Sequence, residues 1–426
     1  MSYKIAYLVS RFPHLPETFI LREMIELERQ GWEIALYPLI RQHQAVIHQE
    51  ARAWLPRARW LPYFSPSVLR ANIKQLASDP GRFAETASQA LGGNLFSQKF
   101  LVRALALLPK AIMAACQMQQ EGIAHIHAHY ATHPALVAWI IHRLTGIRYS
   151  LSVHAHDIFV DTTMLERKLQ GAEFIVAISE FNRDYLARLY GAWILKKIHV
   201  IHCGIDLARY RLCSGPAQNG EPFELLAIGS LQPYKGHRYL IQACALLKER
   251  GLPIHCRIIG EGGEHRNLER QIASAGLAEQ VELLGARSQE EVAHLLTTAH
   301  AYVQPSVVAN RGKMEGIPVA LMEALACQLP VVATRLSGVP ELVHPDETGY
   351  LVPPGDAQAL AEALAGIYAN PRQAASLAKA GRELVRKEFE LQMNVERLAW
   401  LFAQVIEPQA PSMHPQDVTQ WKFTSI

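Results

Sequence analysis

At 426 residues the chain is long enough for two domains, each with its own core. Hydrophobic residues make up 50% and charged ones 19%, which excludes a disordered chain and describes a soluble globular protein. A net charge of +3 is too small to make a nucleic-acid binder by itself, and no apolar run reaches the ~18 to 20 residues that span a bilayer.

The N-terminal stretch MSYKIAYLVSRFP reads as a first β-strand and lacks the longer apolar run and cleavage site of a signal peptide. In chain order, strand candidates follow at Lys4–Val9, Glu33–Pro38, Ile123–Ala128, Tyr149–Val153, Glu173–Ala177 and Ile198–Ile201. A second series occupies Phe223–Ile228, Ile254–Ile259, Val281–Leu284, Ala301–Val303, Pro330–Ala333 and Tyr350–Val352. Helical patterns separate most of them, so parallel βαβ units are expected, with strands buried on both faces. The aperiodic CSGPAQNGEPF (213–223) reads as an interdomain linker. Two Rossmann-like domains facing across a cleft follow, with ligands at the carboxyl ends of the strands. Their expected bounds are 1–210 and 211–389, and 390–426 forms a crossover helix, packing back on the first domain, and a loosely held tail. The six cysteines (116, 203, 213, 244, 256 and 327) form no CxxC pair, which suits free thiols in a reducing cytoplasm.

Residues 41–120 break the alternation with a helical insertion containing WLPRARWLPYF. It carries ten basic residues (Arg41, Arg52, Arg57, Arg59, Arg70, Lys74, Arg82, Lys99, Arg103, Lys110) against three acidic ones (Glu50, Asp79, Glu85). With Trp54, Trp60, Tyr63 and Phe64 this composition suits an anionic membrane surface, and it equally suits a helical cap with a solvated charged face.

The most informative stretch is EGIPVALME (315–323). Glu315 belongs to a strand-to-helix loop, Pro318 suits the first turn of a helix, and Glu323 sits about a turn and a half into it. The free N–H groups at such a helix start favour an anionic phosphate, and Gly316 lets backbone approach it. A carboxylate for sugar hydroxyls, a phosphate cradle and a carboxylate for a ribose diol would then follow in order. Taken alone, the nine residues also fit a glutamate stabilising a helix dipole and an unrelated helix glutamate.

Three further loops follow strands: AIGSLQPYKG (227–236), whose Lys235 could reach a diphosphate, SVHAHDIF (152–159), with His154, His156 and Asp157, and SGVPELV (337–343). His125, His127 and His129 have spacing that could ligate a metal, but without a carboxylate or cysteine a strand-end cluster is favoured. GEGGEH (260–265) has His265 where a dinucleotide fingerprint needs its third glycine, so nicotinamide binding is not expected. Asp206 is read as a turn cap and Ser179 as a helix N-cap rather than as catalytic groups.

Together these motifs resemble the retaining glycosyltransferases of family 4, which have the GT-B fold. The likeness covers nearly the whole chain. FPHLPETFILREM, HAHYATHPA and HAHDIF resemble members that build bacterial exopolysaccharides and colanic-acid-like polymers. The resemblance implies that Glu315 contacts the donor sugar, Glu323 the ribose and Lys235 the diphosphate, while His154 lies near the reacting centre. Gly229, Ser230, Gly316, Ile317, Pro318 and Val319 would complete the donor site. Glu17, Thr18, His129 and Asp157 would lie on the acceptor side.

No divalent metal or other cofactor is implied. The implied activity is transfer of a sugar, expected from UDP, to a hydroxyl of a lipid-linked or growing glycan. A nucleotide-sugar 2-epimerase or hydrolase, or a binding protein without turnover, are the alternatives. The implied location is the cytoplasm or the inner face of its membrane, with no nucleic-acid partner. One departure is Ser230, where the family usually has arginine, so charge on the diphosphate would rest more on Lys235, the helix start and Arg311 or Lys313.

Overall fold

The computed structural model describes residues 3–14, 17–43, 49–217 and 221–407. The tail expected beyond Pro408 and part of the supposed linker lie outside the described residues. The chain forms two compact units. The first runs to Ile178, resumes at Asn182–Gly204 and takes the chain from Leu391, and the second holds Ser179–Phe181 and Ile205–Glu390.

The first unit has six strands: β1 (Lys4–Phe12), β2 (Glu33–Arg41), β3 (His125–His129), β4 (Tyr149–Val153), β5 (Ile175–Ala177) and β6 (Ile198–Val200). They pair in parallel in the order β2-β1-β3-β4-β5-β6. Side-chain alternation divides β1 between two cores: Ile5, Tyr7 and Val9 enter one, Ala6 and Leu8 the other. The helix Leu391–Ile406 closes the first of these, with Val395, Leu398 and Phe402 buried, as expected of a helix returning to this unit.

The second unit has β7 (Phe223–Ile228), β8 (Ile254–Ile259), β9 (Val281–Gly285), β10 (Ala301–Gln304), β11 (Val331–Thr334) and β12 (Tyr350–Val352), again all parallel. Its order, β12-β11-β10-β7-β8-β9, is that of a doubly wound dinucleotide-type sheet. In each sheet the strand order reverses at one point, between β1 and β3 and between β7 and β10. There two loops diverge from the strand ends and leave a crevice.

The chain leaves the first unit at Gly204 rather than near 210. The expected linker is instead part of the second unit, because the N–H groups of Cys213 and Ser214 donate to the carbonyls of Cys327 and Thr297 at 2.8 Å each. All six cysteines are free thiols.

The insertion is helical, with helices at Gln49–Trp54, Pro66–Ser78, Pro80–Gly92 and Gln98–Gln120. Ser65 and Asp79 accept from the N–H groups of Val68 and Arg82 at 3.2 and 2.9 Å, each just before a proline that starts a helix. The helix Gln98–Gln120 is long and apolar enough by length and composition to cross a membrane, yet Ala104, Leu107 and Ala111 enter the core and Phe100 is buried, as they would be in a core helix.

Of the four aromatic residues considered for a membrane surface, Trp54 is buried and Trp60 and Tyr63 are half-buried. Trp54 is 2% exposed and Arg57 stacks on it at 4.2 Å while pairing with Glu28. Trp60 donates to the Leu55 carbonyl at 3.1 Å, and Tyr63 lies under the Lys110 ammonium at 4.4 Å. Arg59 is held by Glu121 at 3.0 Å. Of the four aromatics only Phe64 is open, at 90% exposure, because the others supply the apolar area that fixes the insertion.

Candidate active site

In the second unit the loops after β7 and β10 meet at the sheet's reversal point. Gly236, at φ +69°, lies so close to the Pro305 carbonyl that a Cβ would stand 1.8 Å from that oxygen. Only glycine lets the 229–236 loop pack there. Gly260 and Gly262 play the same part against Gly229 and Leu231, where a Cβ would stand 2.0 and 2.3 Å from carbonyl oxygens. The incomplete dinucleotide fingerprint is therefore a backbone-packing device.

This packing places Lys235 over β10. Its ammonium pairs with Glu315 Oε1, and the Ser306 hydroxyl donates to Oε2. Gln304 Nε2 donates to the same Oε2 at 2.9 Å, while the Tyr302 hydroxyl donates to Gln304 Oε1 at 2.6 Å. Thr334, from β11, holds the Ser306 carbonyl at 2.6 Å. Burial pushes the Lys235 pKa down, but the charge and hydrogen bond of Glu315 together with Tyr234 outweigh it and leave the ammonium above its ordinary value. Gln304, Ser306 and Tyr302 were not singled out from the sequence. Their signal was polar spacing at the end of an apolar strand, in AYVQPS.

Lys313 joins this group through Tyr234, whose ring carries the Lys313 ammonium at 4.6 Å and the Lys235 ammonium at 5.6 Å. Ser230 and Arg311 are exposed. The helix Val319–Ala326 starts after Pro318, which takes the N-cap position, and Ile317 and Pro318 are buried while Gly316 and Val319 are half-buried. Gly338, from the SGVPELV loop, lies against Ile317, where a Cβ would meet its side chain at 2.8 Å. Glu323 accepts from the Tyr210 hydroxyl at 2.6 Å.

In the first unit a chain of polar side chains runs along β3 and β4. Ser150 Oγ lies 2.8 Å from both His125 Nε2 and His127 Nδ1, and Ser152 Oγ lies 2.9 Å from His127 Nε2. His129 stands 3.4 Å from His154 through Nδ1 and 3.0 Å from Glu23 Oε1 through Nε2, and the Tyr7 hydroxyl donates to that oxygen at 2.8 Å. His125 and His127 do not line a crevice as expected; they are fully buried, with Phe402 against both rings. Glu23, missed in the sequence although it lies in FPHLPETFILREM, supplies a carboxylate, and its ligand atom lies within 4.8 Å of those of His127 and His129. That grouping could hold a metal ion, but every ring nitrogen of these two histidines already has a protein partner.

His154 packs between Phe19 and Tyr130, with ring centroids at 5.1 and 4.5 Å, and burial followed by the charge of His129 holds its pKa well below 6.5. It is therefore neutral at pH 7. His129, His154 and Glu23 line one pocket with Phe19 and Cys203, whereas Glu17 and Thr18 line another over the end of β1 with Phe12 and Pro13. Glu17 is paired with His14 at 3.0 Å. Asp157 is not presented to an acceptor: it is 1% exposed and accepts from the N–H groups of Ala131 at 2.8 Å and His154 at 3.0 Å. It ties two strand-end loops together, and burial raises its pKa to about 6. His156 is exposed, near Asp161. Asp206 caps a short turn by accepting from the Ala208 N–H at 3.1 Å, as expected.

Residues 214–384 match the family model for glycosyl transferases group 1, and residues 78–209 match that for glycosyltransferase family 4. WcaL of Escherichia coli K12, named for colanic acid biosynthesis, is 30% identical over 93% of this chain and 99% of its own length. The amylovoran biosynthesis glycosyltransferase AmsK of Erwinia amylovora is also 30% identical, over 93% of this chain and 98% of its own. Among solved structures, Anabaena HepE in complex with UDP and glucose superposes with a TM-score of 0.69 at 17% identity, covering 94% of this chain and 100% of that one.

Proposed function

Because the chain belongs to glycosyltransferase family 4 and has the GT-B fold, we propose that it transfers a sugar with retention of anomeric configuration. The donor is a nucleoside-diphosphate sugar, and the acceptor is a hydroxyl of a lipid-linked or growing bacterial polysaccharide. The observation that carries this reading is the Lys235–Glu315 pair at the reversal point of the second sheet. It sets a cation for phosphate beside a carboxylate for sugar hydroxyls. The two relatives named for colanic acid and amylovoran biosynthesis support an exopolysaccharide product and favour transfer over epimerisation or binding alone. The UDP complex of HepE supports UDP as the nucleotide.

The anomeric carbon loses its bond to the diphosphate oxygen and gains one to the acceptor oxygen on the same face. The acceptor proton passes to the departing phosphate oxygen. Lys235, Lys313 and the N–H groups at the start of Val319–Ala326 offset the charge that develops on the diphosphate, so no divalent metal is required. Glu315 orients the sugar and Glu323 the ribose. Neutral His154 has a ring nitrogen able to hydrogen-bond at the reacting sugar, and Glu17, Thr18 and His129 lie on the acceptor side. The enzyme works in the cytoplasm or at the inner face of the membrane.

The test is a thermal-shift screen of nucleoside diphosphates and their sugars in EDTA. A ligand at 100 times its dissociation constant adds about 2.7 kcal/mol of stability. UDP or a UDP-sugar should raise the melting temperature, and Lys235→Ala should abolish the shift. No shift with any nucleotide would refute the reading.

A further inference from the structure

At the carboxyl ends of β3 and β4 the first unit gathers Lys99, Arg103, His133, His156 and Lys168 around one carboxylate, Asp161. Lys99 Nζ and His156 Nε2 stand 3.5 and 3.7 Å from Asp161 Oδ2. Arg103 Nη1 stands 3.5 Å from His133 Nε2, and the His133 ring stacks on Phe100 at 5.1 Å. Helix Leu165–Gly171, which carries Lys168, packs against the helix that begins at His133. Lys168 is only 2% exposed, and Asp157 and Asp161 are the carboxylates whose charge reaches its ammonium. Burying an ammonium is costly, and burial pushes the Lys168 pKa down to about 7 although the charges of Asp157 and Asp161 act against that shift. An arriving anion would remove that cost.

Apolar surface adjoins the cluster. Leu95, Phe96 and Val102, on the turn and helix that carry Lys99 and Arg103, are 63%, 103% and 61% exposed. Large apolar groups left open together mark a binding surface. The turn is fixed to the chain after Asp161: Gly93 lies against the Met164 side chain, and Asn94 Nδ2 contacts Met164 Sδ at 3.1 Å. An open groove of about 620 Å³ runs there, lined by Gly92, Gly93, Phe96, Thr162, Met164 and Arg167.

We propose that this cluster binds the diphosphate of a lipid-linked acceptor, with the hydrocarbon chain lying along the groove and the Leu95, Phe96 and Val102 lip. The inference rests on the sugar-transfer reading and names its acceptor class. A diphosphate has enough charge and oxygen atoms to engage Lys99, the Arg103 fork and Lys168 together, and the hydrocarbon explains why apolar side chains stand open beside cations.

The experiment is calorimetry on the full chain with three probes: farnesyl diphosphate below its micellar range, inorganic diphosphate, and vesicles of phosphatidylglycerol. Farnesyl diphosphate should bind at least tenfold more tightly than inorganic diphosphate. The double variant Lys99→Ala/Arg103→Ala, at exposed positions that do not threaten folding, should lose at least tenfold in farnesyl diphosphate affinity. Lys235→Ala should stay within twofold for this ligand while losing nucleotide affinity. At pH 8 binding should take up a proton in the wild type, and Lys168→Met should abolish that uptake. An unchanged affinity in the double variant, equal binding of the two diphosphates, or binding to vesicles alone would each overturn the proposal. Nucleotide binding with transfer to a soluble glycan alone would sink this inference and leave sugar transfer standing.

Discussion

The Lys235 ammonium is paired with the Glu315 carboxylate, so two residues assigned to different parts of one substrate hold each other. Glu315 is buried and Lys235 nearly so, and Gln304 and Ser306 satisfy the second Glu315 oxygen. With the roles proposed for these two residues, a donor diphosphate would take Lys235 from Glu315 and leave that carboxylate free to accept sugar hydroxyls.

Glu315→Gln should accordingly leave Lys235 more available to UDP while removing the sugar contact. The expected result is UDP affinity unchanged or several-fold tighter by calorimetry, with turnover at least 100-fold lower. Breaking the pair should also destabilise the protein, by up to ~3–5 kcal/mol for a buried ion pair, and Lys235→Met in the same chain should recover part of the loss. Weaker UDP binding in Glu315→Gln would place Glu315 on the phosphate side.

Glu323 has the Tyr210 hydroxyl as a partner at 2.6 Å. Glu323→Ala should weaken nucleoside diphosphate binding by ~1.5–3 kcal/mol, the worth of a charge-assisted contact to the ribose. Tyr210→Phe should change it far less. Calorimetry that finds both variants as tight as wild type would remove the ribose role.

If Lys235, Lys313 and the helix start offset the diphosphate charge as proposed, activity should survive excess EDTA. Complete loss, restored by Mn²⁺, would contradict this and direct attention to Glu23, His127 and His129.

Stability should fall steeply with acid. Burial lowers the His125 pKa from 6.5 to about 3 and the His237 pKa to about 4, and it holds His127 and His154 well below 6.5. Between those values and 6.5 the unfolded chain binds protons that the native chain refuses, so each histidine removes about 1.4 kcal/mol per pH unit as pH drops through the window. Asp157, raised from 3.8 to about 6, works in the opposite direction by one proton. Urea titrations at pH 7, 6 and 5 should show the net decline, and His125→Asn should make it shallower. A flat profile would mean that these rings are protonated in the folded state.

Gly236→Ala should cost at least the ~1–2 kcal/mol of a left-handed non-glycine residue, and more because the added methyl meets the Pro305 carbonyl. Nucleotide affinity should fall with it, since the same loop carries Lys235. A variant as stable as wild type would show that the loop relaxes freely.

All twelve strands were legible because buried parallel strands are short apolar runs between amphipathic helices, a pattern local to a few residues. The positions of Glu315, Glu323 and Lys235, though not their roles, were legible for a related reason. Each sits at a fixed offset from a strand end or helix start, and such offsets survive without knowledge of what packs nearby. Sequence alone also carried the helical insertion and the return of Leu391–Ile406 to the first unit.

Burial and pairing across long sequence separations were decided only by the tertiary structure. Trp54 and Tyr63 look like membrane anchors in a linear reading, yet the core takes them because apolar area gains most where it meets other apolar area. Asp157 looks like an open strand-end carboxylate until its oxygens are found on the N–H groups of two loops. Glu23 and His129 stand 106 positions apart, and no local spacing could join them. Nor could composition separate buried Lys168 from the other basic residues, since the cost of burying a charge depends on the side chains that exclude water from it.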